Sequence, residues 1–426
     1  MTAAASDADP ATPPPSRGRP ATRGPRTREP GAWASGRVQR VGLVLVIAVL
    51  AVAVRVVAFP HESVDYRFFL LPWYEHLDQH GGFAALRDEF ANYNVPYLYL
   101  LAALTYLPVP PLVGIKLVSV AFDLLLVFFA HRVVAVRHPR TWLPVLAAAV
   151  VALLPTVVVN GAMWGQVDSA HTGLGLGGVY FLLRRRPWWA CAFFGLALAF
   201  KLQIVFLFPV LLLLALTGRL PWRALLAVPA VFLALDVPAV LLGAAPGRLL
   251  AVYADQAGTY GALTLGAPSV YQFVPAGYGT DTLHTMAVLL AGALVLLLVL
   301  VVAAGRLVLT PARLVLVAAV FAVGVPYFLP SMHERYFYLA DVLTVLAACY
   351  LPRLWCVPVL VQVASFSSYV AYLFVPPPAL DTVPRWAEQR VDPRVLAALV
   401  LVALLALVRQ LFRTPGLRAG LVRPPR

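Results

Sequence analysis

The chain has very little lysine and very little charge for its length. Only Lys116 and Lys201 represent lysine among 426 residues, and 12% of the residues are charged while 61% are hydrophobic. One soluble core cannot bury that much apolar surface, so lipid must solvate most of the chain. The preference for arginine over lysine is typical of a GC-rich bacterial genome. The sequence therefore predicts a multi-pass protein of the bacterial plasma membrane.

Cysteine is also scarce, and its placement excludes two classes of site. Cys191, Cys349 and Cys356 fall inside apolar runs without metal-ligand spacing, so they indicate neither a disulfide framework nor a zinc centre. The formal net charge of +14 comes from short arginine clusters between apolar runs and not from one basic face. This distribution argues against a nucleic-acid partner and marks the clusters as topology signals.

Apolar runs recur from residue 41 to residue 413 with short polar or Pro-rich joints between them. Their lengths predict an all-α polytopic membrane protein with about 12 transmembrane helices, because a hydrocarbon core is roughly 30 Å thick. If the arginine clusters are cytoplasmic, both termini lie inside. The predicted crossings are 41–60, 112–133, 142–160, 171–183, 188–202, 204–217, 224–243, 284–303, 313–328, 336–351, 354–373 and 395–413.

The rest of the chain divides around this transmembrane domain of residues 41–413. Residues 1–40 are rich in Pro, Ala, Ser and Arg, which predicts a disordered cytoplasmic tail, and residues 414–426 form a basic cytoplasmic tail. Residues 95–107 are apolar but too short to cross the bilayer. We interpret them as a re-entrant or kinked start of the next helix.

Polar residues concentrate in the segments that this topology places outside. Charges near membrane depth are costly, so several of them on one face indicate a functional site. The predicted external segments are 61–94, 160–170, the neighbourhood of Lys201, 244–281, 329–335 and 374–394.

The first external loop, 61–94, begins with an acidic residue and continues with aromatic ones. Asp65 lies just beyond the first crossing, where it is placed to act as a general base. Phe68, Phe69, Trp73 and Tyr74 suit a helix lying along the headgroups, so a simple membrane anchor explains them equally well.

Three later segments carry the other candidates. Gln166 and Asp168 follow a turn that needs neither of them. Lys201 must pair, snorkel to the interface or bind a ligand, and Arg335 either holds a phosphate or pairs with Glu334. The candidate substrate-binding residues are Tyr66, Trp73, Trp164, Gln166, Asp168, Lys201, Gln203, His333, Glu334, Arg335 and Tyr336.

In order and sidedness these segments resemble the GT-C superfamily of glycosyltransferases that use polyprenyl-phosphate sugars. The resemblance is to the endoplasmic reticulum glucosyltransferases of the N-glycan precursor and to bacterial mannosyltransferase-like relatives. Loop 244–281 departs from the family pattern, with only the segment 265–272 similar. The matching motifs are Asp65-Tyr66 with Trp73, the segment Asn92 to Tyr97, Gln166 with Asp168, Phe200-Lys201 before Pro209, and His333-Glu334-Arg335.

The resemblance implies a GT-C-type helical bundle and an inverting transfer on the external face. A hexose, mannose or glucose, would pass from a polyprenyl-phosphate donor to a lipid-linked or cell-envelope glycan. Asp65 would be the base, and Arg335, His333 and Lys201 would hold the phosphate. No cofactor is implied, although a divalent metal could bridge Asp65 and Asp168. A lipid-linked sugar flippase or transporter and a glycan polymerase or ligase are the alternative classes.

Overall fold

The structure is a computed structural model that describes residues 30–258, 261–275, 281–305, 307–373 and 391–413, without the side chains of 30–40 and 257–258. Contacts divide the chain inside the first helix, between Ala48 and Val49. The packing and the site described below belong to the part from Val49 onward. The predicted tails 1–29 and 414–426 and most of the predicted external segment 374–394 lie outside the described residues.

The described residues are almost entirely helical, as the sequence predicts. Proline occupies one of the first two positions of many helices, where its missing N–H costs nothing. The α-helices are α1 (Pro30–Ala58), α2 (Leu71–Gln79), α3 (Val95–Leu104), α4 (Pro111–Arg137), α5 (Leu143–Leu153), α6 (Pro155–Val158), α7 (Asp168–Leu183), α8 (Pro187–Phe200), α9 (Phe208–Leu216), α10 (Ala227–Leu241), α11 (Pro246–Gly258), α12 (Asp281–Ala304), α13 (Pro311–Phe328), α14 (Tyr338–Tyr350), α15 (Cys356–Leu373) and α16 (Pro393–Arg413).

Shorter elements connect these helices. Two π-helical turns precede α2 and α7, and a parallel pair of short strands joins two loops that the sequence predicts to be external, with Thr264 beside Met332 and Leu265 beside His333. The π-turns are Tyr66–Leu70 and Val159–Trp164, the 3-10 turns are Gly82–Arg87, Leu202–Leu207, Trp222–Leu226, Val270–Phe273 and Pro352–Leu354, and the strands are β1 (Thr264–Leu265) and β2 (Met332–His333).

The helices pack in two groups that share one apolar core. In the first group α4 packs on α5 and α7, α7 on α8, and α8 on α10. In the second, α13 packs on α14 and α16, and α15 on the same two helices, while α12 lies against α9. Helix α13 is the most enclosed of the long helices. Of its 18 residues 78% are buried, so protein rather than lipid surrounds it.

Seven described helices are long and apolar enough to cross a membrane, or eight if α5 and the bent segment Pro155–Trp164 form one span. The polytopic all-α class is thus confirmed, and the number of twelve crossings stays a prediction. Helix α3 has ten residues, about 15 Å, which agrees with a segment that does not cross. Helix α1 begins at Pro30, so residues 30–40 are helical where the sequence predicts a tail.

The helix ends that carry the arginine clusters lie together. Arg132 on α4 donates to the Tyr180 hydroxyl at 2.7 Å, and the Tyr350 hydroxyl donates to the Val133 carbonyl at 2.7 Å. Arg219 likewise reaches the Leu309 carbonyl at 2.6 Å, which joins the α9 and α13 ends. The loops that the sequence assigns to the cytoplasm therefore share one end of the bundle.

Cysteine labelling tests whether that end faces the cytoplasm. In a background with Cys349 and Cys356 replaced by serine, Gln79→Cys and Asp255→Cys should react with a membrane-impermeant thiol reagent in spheroplasts. Arg140→Cys should react only after permeabilisation, because it lies at the arginine end. All three side chains are exposed, so burial does not mask the outcome. The reverse pattern would invert the predicted orientation.

Candidate functional site

Two π-helical turns place the first site residues. Asp65 immediately precedes the turn Tyr66–Leu70, and Trp164 ends the turn Val159–Trp164. Gly165 then adopts a positive φ of 81°, which an L side chain disfavours, and reverses the chain toward Gln166. Because π-turns widen a helix locally, both segments project polar side chains that a regular helix would place elsewhere.

Asp65 lies at the centre of the site and is 5% exposed. Its Oδ2 accepts hydrogen bonds from the Trp164 indole at 3.0 Å and from the Gln166 amide. Its Oδ1 accepts one hydrogen bond, from the Tyr372 hydroxyl at 3.1 Å. A carboxylate oxygen has two lone pairs, so Oδ2 is saturated by these donors while Oδ1 can accept one more hydrogen bond.

A second carboxylate, Asp168, begins α7 and is held from two sides. Asn160 donates to its Oδ2 at 2.7 Å, and Lys201 donates to its Oδ1. The Lys201 ammonium also donates to Oε1 of the Gln166 side chain at 3.3 Å and lies 5.8 Å from the Tyr93 ring centroid. The interpretation of Lys201 as a snorkelling residue is therefore wrong, because its ammonium is 7% exposed and paired.

Arg335 connects the two carboxylates. Its Nη1 lies 3.7 Å from Asp65 Oδ2, and its Nε lies 3.9 Å from Asp168 Oδ2. Nη1 also donates to Glu334 at 3.1 Å, and the guanidinium lies 5.4 Å from the Trp164 ring centroid. Within the described part of the chain, the Nε N–H has no hydrogen-bond partner.

The neighbouring Glu334 and His333 are fixed by the strand pairing of β1 with β2. His333 Nδ1 lies 3.7 Å from Glu334 Oε2. Burial alone would raise the pKa of Glu334, but the hydrogen bond and charge of His333 and the charge of Arg335 lower it below its usual value. The contact with Glu334 thus compensates part of the Arg335 charge.

A cavity of about 1910 Å³ opens from this charged cluster. Part of its wall is apolar and is formed by α12 and the segment that leads into α9, and another part is polar and includes residues of the first loop and α11; we call these parts the apolar arm and the polar arm. The apolar arm is lined by Val205, Phe208, Pro209, Leu212, Val288, Ala291, Gly292, Val295 and Leu296. The polar arm is lined by Asn92, Tyr93, Gln203, Tyr253 and Gln256.

Short helices lead from the arginine side to the site. Helices α7, α8 and α14 have 16, 14 and 13 residues, or roughly 20 to 24 Å at 1.5 Å per residue. Each has one end at the arginine side and the other at a site residue, namely Asp168, Lys201 and the turn after Arg335. These helices are shorter than a hydrocarbon core, which is roughly 30 Å thick.

Most of the predicted site residues meet here, but they divide into two sets. Tyr66, Trp164 and Asp168 are buried and do not line the cavity. Trp164 and Asp168 instead hydrogen-bond to Asp65 and Lys201, which do line it, and so support these side chains. The residues that do line the cavity are Asp65, Trp73, Gln166, Lys201, Gln203, His333, Glu334, Arg335 and Tyr336.

The aromatic residues of the first loop divide in the same way. Phe68 and Phe69 are 61% and 43% exposed, as an interfacial anchor requires. Trp73 and Tyr74 are buried instead, because α2 packs on the 3-10 turn after it and on α3. Exposure is therefore compatible with the anchor interpretation only for Phe68 and Phe69, which also line the cavity.

The site predicted from the sequence does not include Tyr372 or Asn160. Tyr372 donates to Asp65 from a helix 307 residues away, and a tyrosine in an apolar helix carries no signal of that contact. Asn160 looks like an ordinary turn residue, yet it orients Asp168. Tyr93 could have been found, since it lies inside a motif of the first loop.

The geometry also bears on the metal that could bridge Asp65 and Asp168. The guanidinium of Arg335 already lies between these carboxylates and supplies the positive charge they need. Among the described residues, no three His, Cys, Asp or Glu side chains are grouped as metal ligands.

Neither a scan against protein-family models nor a search of curated proteins found a match to this chain. Function must therefore be argued from the site.

Proposed function

We propose that this protein is an inverting glycosyltransferase that moves a hexose from a polyprenyl-phosphate donor to a lipid-linked or envelope glycan. The observation that carries the proposal is a carboxylate and two cations on the wall of one cavity that also has an apolar and a polar part. A lipid-linked sugar has the same three parts: an apolar chain, an anionic phosphate and a polar sugar. Each part of the cavity therefore has a matching part of the donor.

In the proposed reaction an acceptor hydroxyl attacks the anomeric carbon as the bond from that carbon to the phosphate oxygen breaks. The hydroxyl proton passes to Asp65, and polyprenyl phosphate leaves with the bonding electron pair. Asp65 Oδ1 is the oxygen with a lone pair free to take that proton. The leaving phosphate needs no proton, so one base is enough.

The phosphate would lie between Arg335 and Lys201, both of which face the cavity. Asp168 pairs with Lys201, and Asp65 and Glu334 lie beside Arg335, so the site has no excess positive charge with which to bind anions. Binding must come from directed N–H donors of Arg335 and Lys201, which line the cavity, and from burial of the lipid chain.

The apolar arm would hold the first isoprene units of the donor. Its wall includes Gly292 of α12, where an added side chain would begin in open space. Burial of the chain stabilises the complex by about 0.8 kcal/mol for each CH₂ removed from water. A long-chain donor should accordingly bind much more tightly than a short one.

Filling that arm tests the assignment. Gly292→Phe should raise KM for a long-chain polyprenyl-phosphate sugar by about ten- to hundredfold and leave KM for a geranyl-type donor nearly unchanged. Leu289→Phe is the matched control, because Leu289 is on the same helix but is 67% exposed and outside the cavity. Equal effects of the two variants on the long-chain donor would remove the apolar arm as the lipid site.

The deciding experiment is a comparison of extracted lipids and envelope glycans from a deletion strain and its parent. We expect one glycan to lose a hexose and its unextended precursor to accumulate. Purified protein should then transfer that hexose from a synthetic polyprenyl-phosphate donor. Unchanged glycans together with altered sidedness of a lipid-linked sugar would instead identify a flippase.

A transporter is the main alternative, and one observation favours the enzyme over it. The paired charges among the described site residues lie at the end of the bundle opposite the arginine loops, whereas alternating access requires a site near the bilayer midplane.

A further inference from the structure

Helix α4 carries a buried polar face that the proposed reaction does not use. Lys116, Ser119 and Asp123 are 0%, 0% and 2% exposed. Their spacing of three and four residues places them in a row along one face of the helix. Polar side chains inside a membrane helix are expensive, so a row of three requires an explanation.

Lys116 fixes the segment that leads to Asp65. Its ammonium donates to the carbonyls of Phe59 at 2.7 Å and His61 at 2.5 Å, and lies 3.4 Å from that of Ala58. These carbonyls lie at and just beyond the C-terminal end of α1, where a helix leaves carbonyls without intrahelical partners and where a cation is favoured. The Ala58 carbonyl also accepts a hydrogen bond from the His61 N–H at 3.3 Å.

Asp123 acts on the second site segment through Arg55. Arg55 donates to Asp123 Oδ2 from Nε and Nη2, at 3.2 and 3.0 Å. Its Nη1 donates to the Ala152 carbonyl at 3.0 Å, in the last turn of α5. The chain bends by 53° directly after that turn, at Pro155, and the bend leads into the π-turn that ends at Trp164.

The two segments are also joined to each other and to α4. The Ser63 hydroxyl donates to the Trp164 carbonyl at 2.7 Å, and the Ser169 hydroxyl donates to the Ser119 carbonyl at 3.2 Å. A Cβ on Gly161 would lie 3.0 Å from Asp123 Oδ2, so glycine allows the π-turn to approach the ion pair closely. The ends of α1 and α5, which lead into the site, thus contact the buried cations Lys116 and Arg55. Helix α4 carries Lys116 and binds Arg55 through Asp123.

We propose that Lys116 and the Arg55–Asp123 pair are positioning residues, which set the segments bearing Asp65 and Gln166 at the separation seen in the site. The proposal rests on the proposed function only in treating Asp65 and Gln166 as the working residues. It concerns backbone placement and can be tested without any assay of transfer.

The test is hydrogen exchange on the full-length protein in detergent or nanodiscs. Lys116→Met should increase amide exchange in residues 59–67 by about tenfold or more, with residues 152–169 changed less. Asp123→Asn should affect mainly residues 152–169. Tyr350→Phe is the control, because it removes a buried hydrogen bond to the Val133 carbonyl at the arginine end of the bundle and should loosen neither segment.

A double variant separates positioning from stability. Asp123→Asn leaves Arg55 buried without its partner and should lower Tm. The double variant Arg55→Met, Asp123→Leu removes both charges, so its Tm should return toward that of the parent. Amide exchange in residues 152–169 should nevertheless stay raised, because the Ala152 carbonyl has lost its hydrogen-bond donor. If exchange recovers together with Tm, or rises equally in α13, the pair is merely structural and the proposal is wrong.

Gly161→Ala keeps every hydrogen bond and pushes only against the Asp123 carboxylate. It should fold normally and raise exchange in residues 159–169 by a smaller factor than Asp123→Asn. These results stand whether or not the protein transfers a sugar. If sugar transfer is found, the same variants should lower kcat more than they raise the donor KM, because the base is displaced while the donor contacts remain.

Discussion

Replacement of Asp65 by asparagine is expected to lower kcat for sugar transfer by about 10²- to 10⁴-fold, the usual contribution of a general base. The change should disturb the site little. Asparagine can keep its carbonyl oxygen toward Trp164 and Gln166, and its amide can face Tyr372, whose hydroxyl can accept instead of donate. What is lost is the lone pair on Oδ1 that would take the acceptor proton.

The measurement is the initial rate with purified protein, together with donor affinity measured in the absence of acceptor. Donor affinity should change little, because the contacts proposed for the phosphate come from other residues. Glu62→Gln is the matched control, since Glu62 is in the same segment but pairs with Arg67 at the exposed surface. Undiminished turnover by Asp65→Asn would assign the base to another group.

The sequence predicted the site better than the fold that forms it. Arginine clusters and apolar runs depend on local composition, so they place Asp65, Gln166, Lys201 and Arg335 in loops of one side, and the structure brings these four together. Residues in loops on the same side of the membrane can come into contact, whereas residues on opposite sides cannot. This prediction requires no knowledge of how the helices pack.

Burial and partner choice could not be predicted in this way. Trp164 and Trp73 look alike in the sequence, yet one supports Asp65 from behind and the other lines the cavity. The difference depends on contacts between remote helices, such as the approach of α15 that places Tyr372 on Asp65. Lys116 was hidden for the same reason, because its partners are main-chain carbonyls, which have no sequence signature.

The exact helix lengths could not be predicted from the apolar runs. The segments 171–183, 188–202 and 336–351 are predicted as crossings, and their helices have 13 to 16 residues, which is shorter than the roughly 30 Å of a hydrocarbon core. Each helix ends at a polar site residue inside the bundle. Apolar composition does not indicate where such a helix ends, because its end depends on contacts with remote polar groups.

Substitution of Arg335 should be nearly as damaging as substitution of Asp65. Arg335→Ala is expected to lower kcat/KM for the donor by roughly thirtyfold to a thousandfold, or about 2 to 4 kcal/mol of transition-state stabilisation. Arg335→Lys should rescue little, because an ammonium cannot present two N–H groups to two phosphate oxygens at once. It would also lose the planar face that lies over Trp164.

The ion pair with Glu334 gives the competing explanation, in which Arg335 only balances a buried charge. The double variant Glu334→Arg, Arg335→Glu separates the two. It keeps an adjacent pair of opposite charges, so a purely structural role predicts recovery of most of the activity lost in Arg335→Ala. A phosphate-binding role predicts an inactive protein, because the cation is then at position 334 and no longer at position 335, which lies beside Asp65 and Asp168.

Stability has to be measured on the same samples, because a misfolded variant would also be inactive. The Tm of the double variant should stay close to that of the parent, since an ion pair remains, whereas Arg335→Ala leaves Glu334 buried without its guanidinium and should lower Tm. A folded and inactive double variant supports donor binding by Arg335. An active double variant would move the phosphate to Lys201, the other cation on the cavity wall, where Lys201→Gln would then be the decisive substitution.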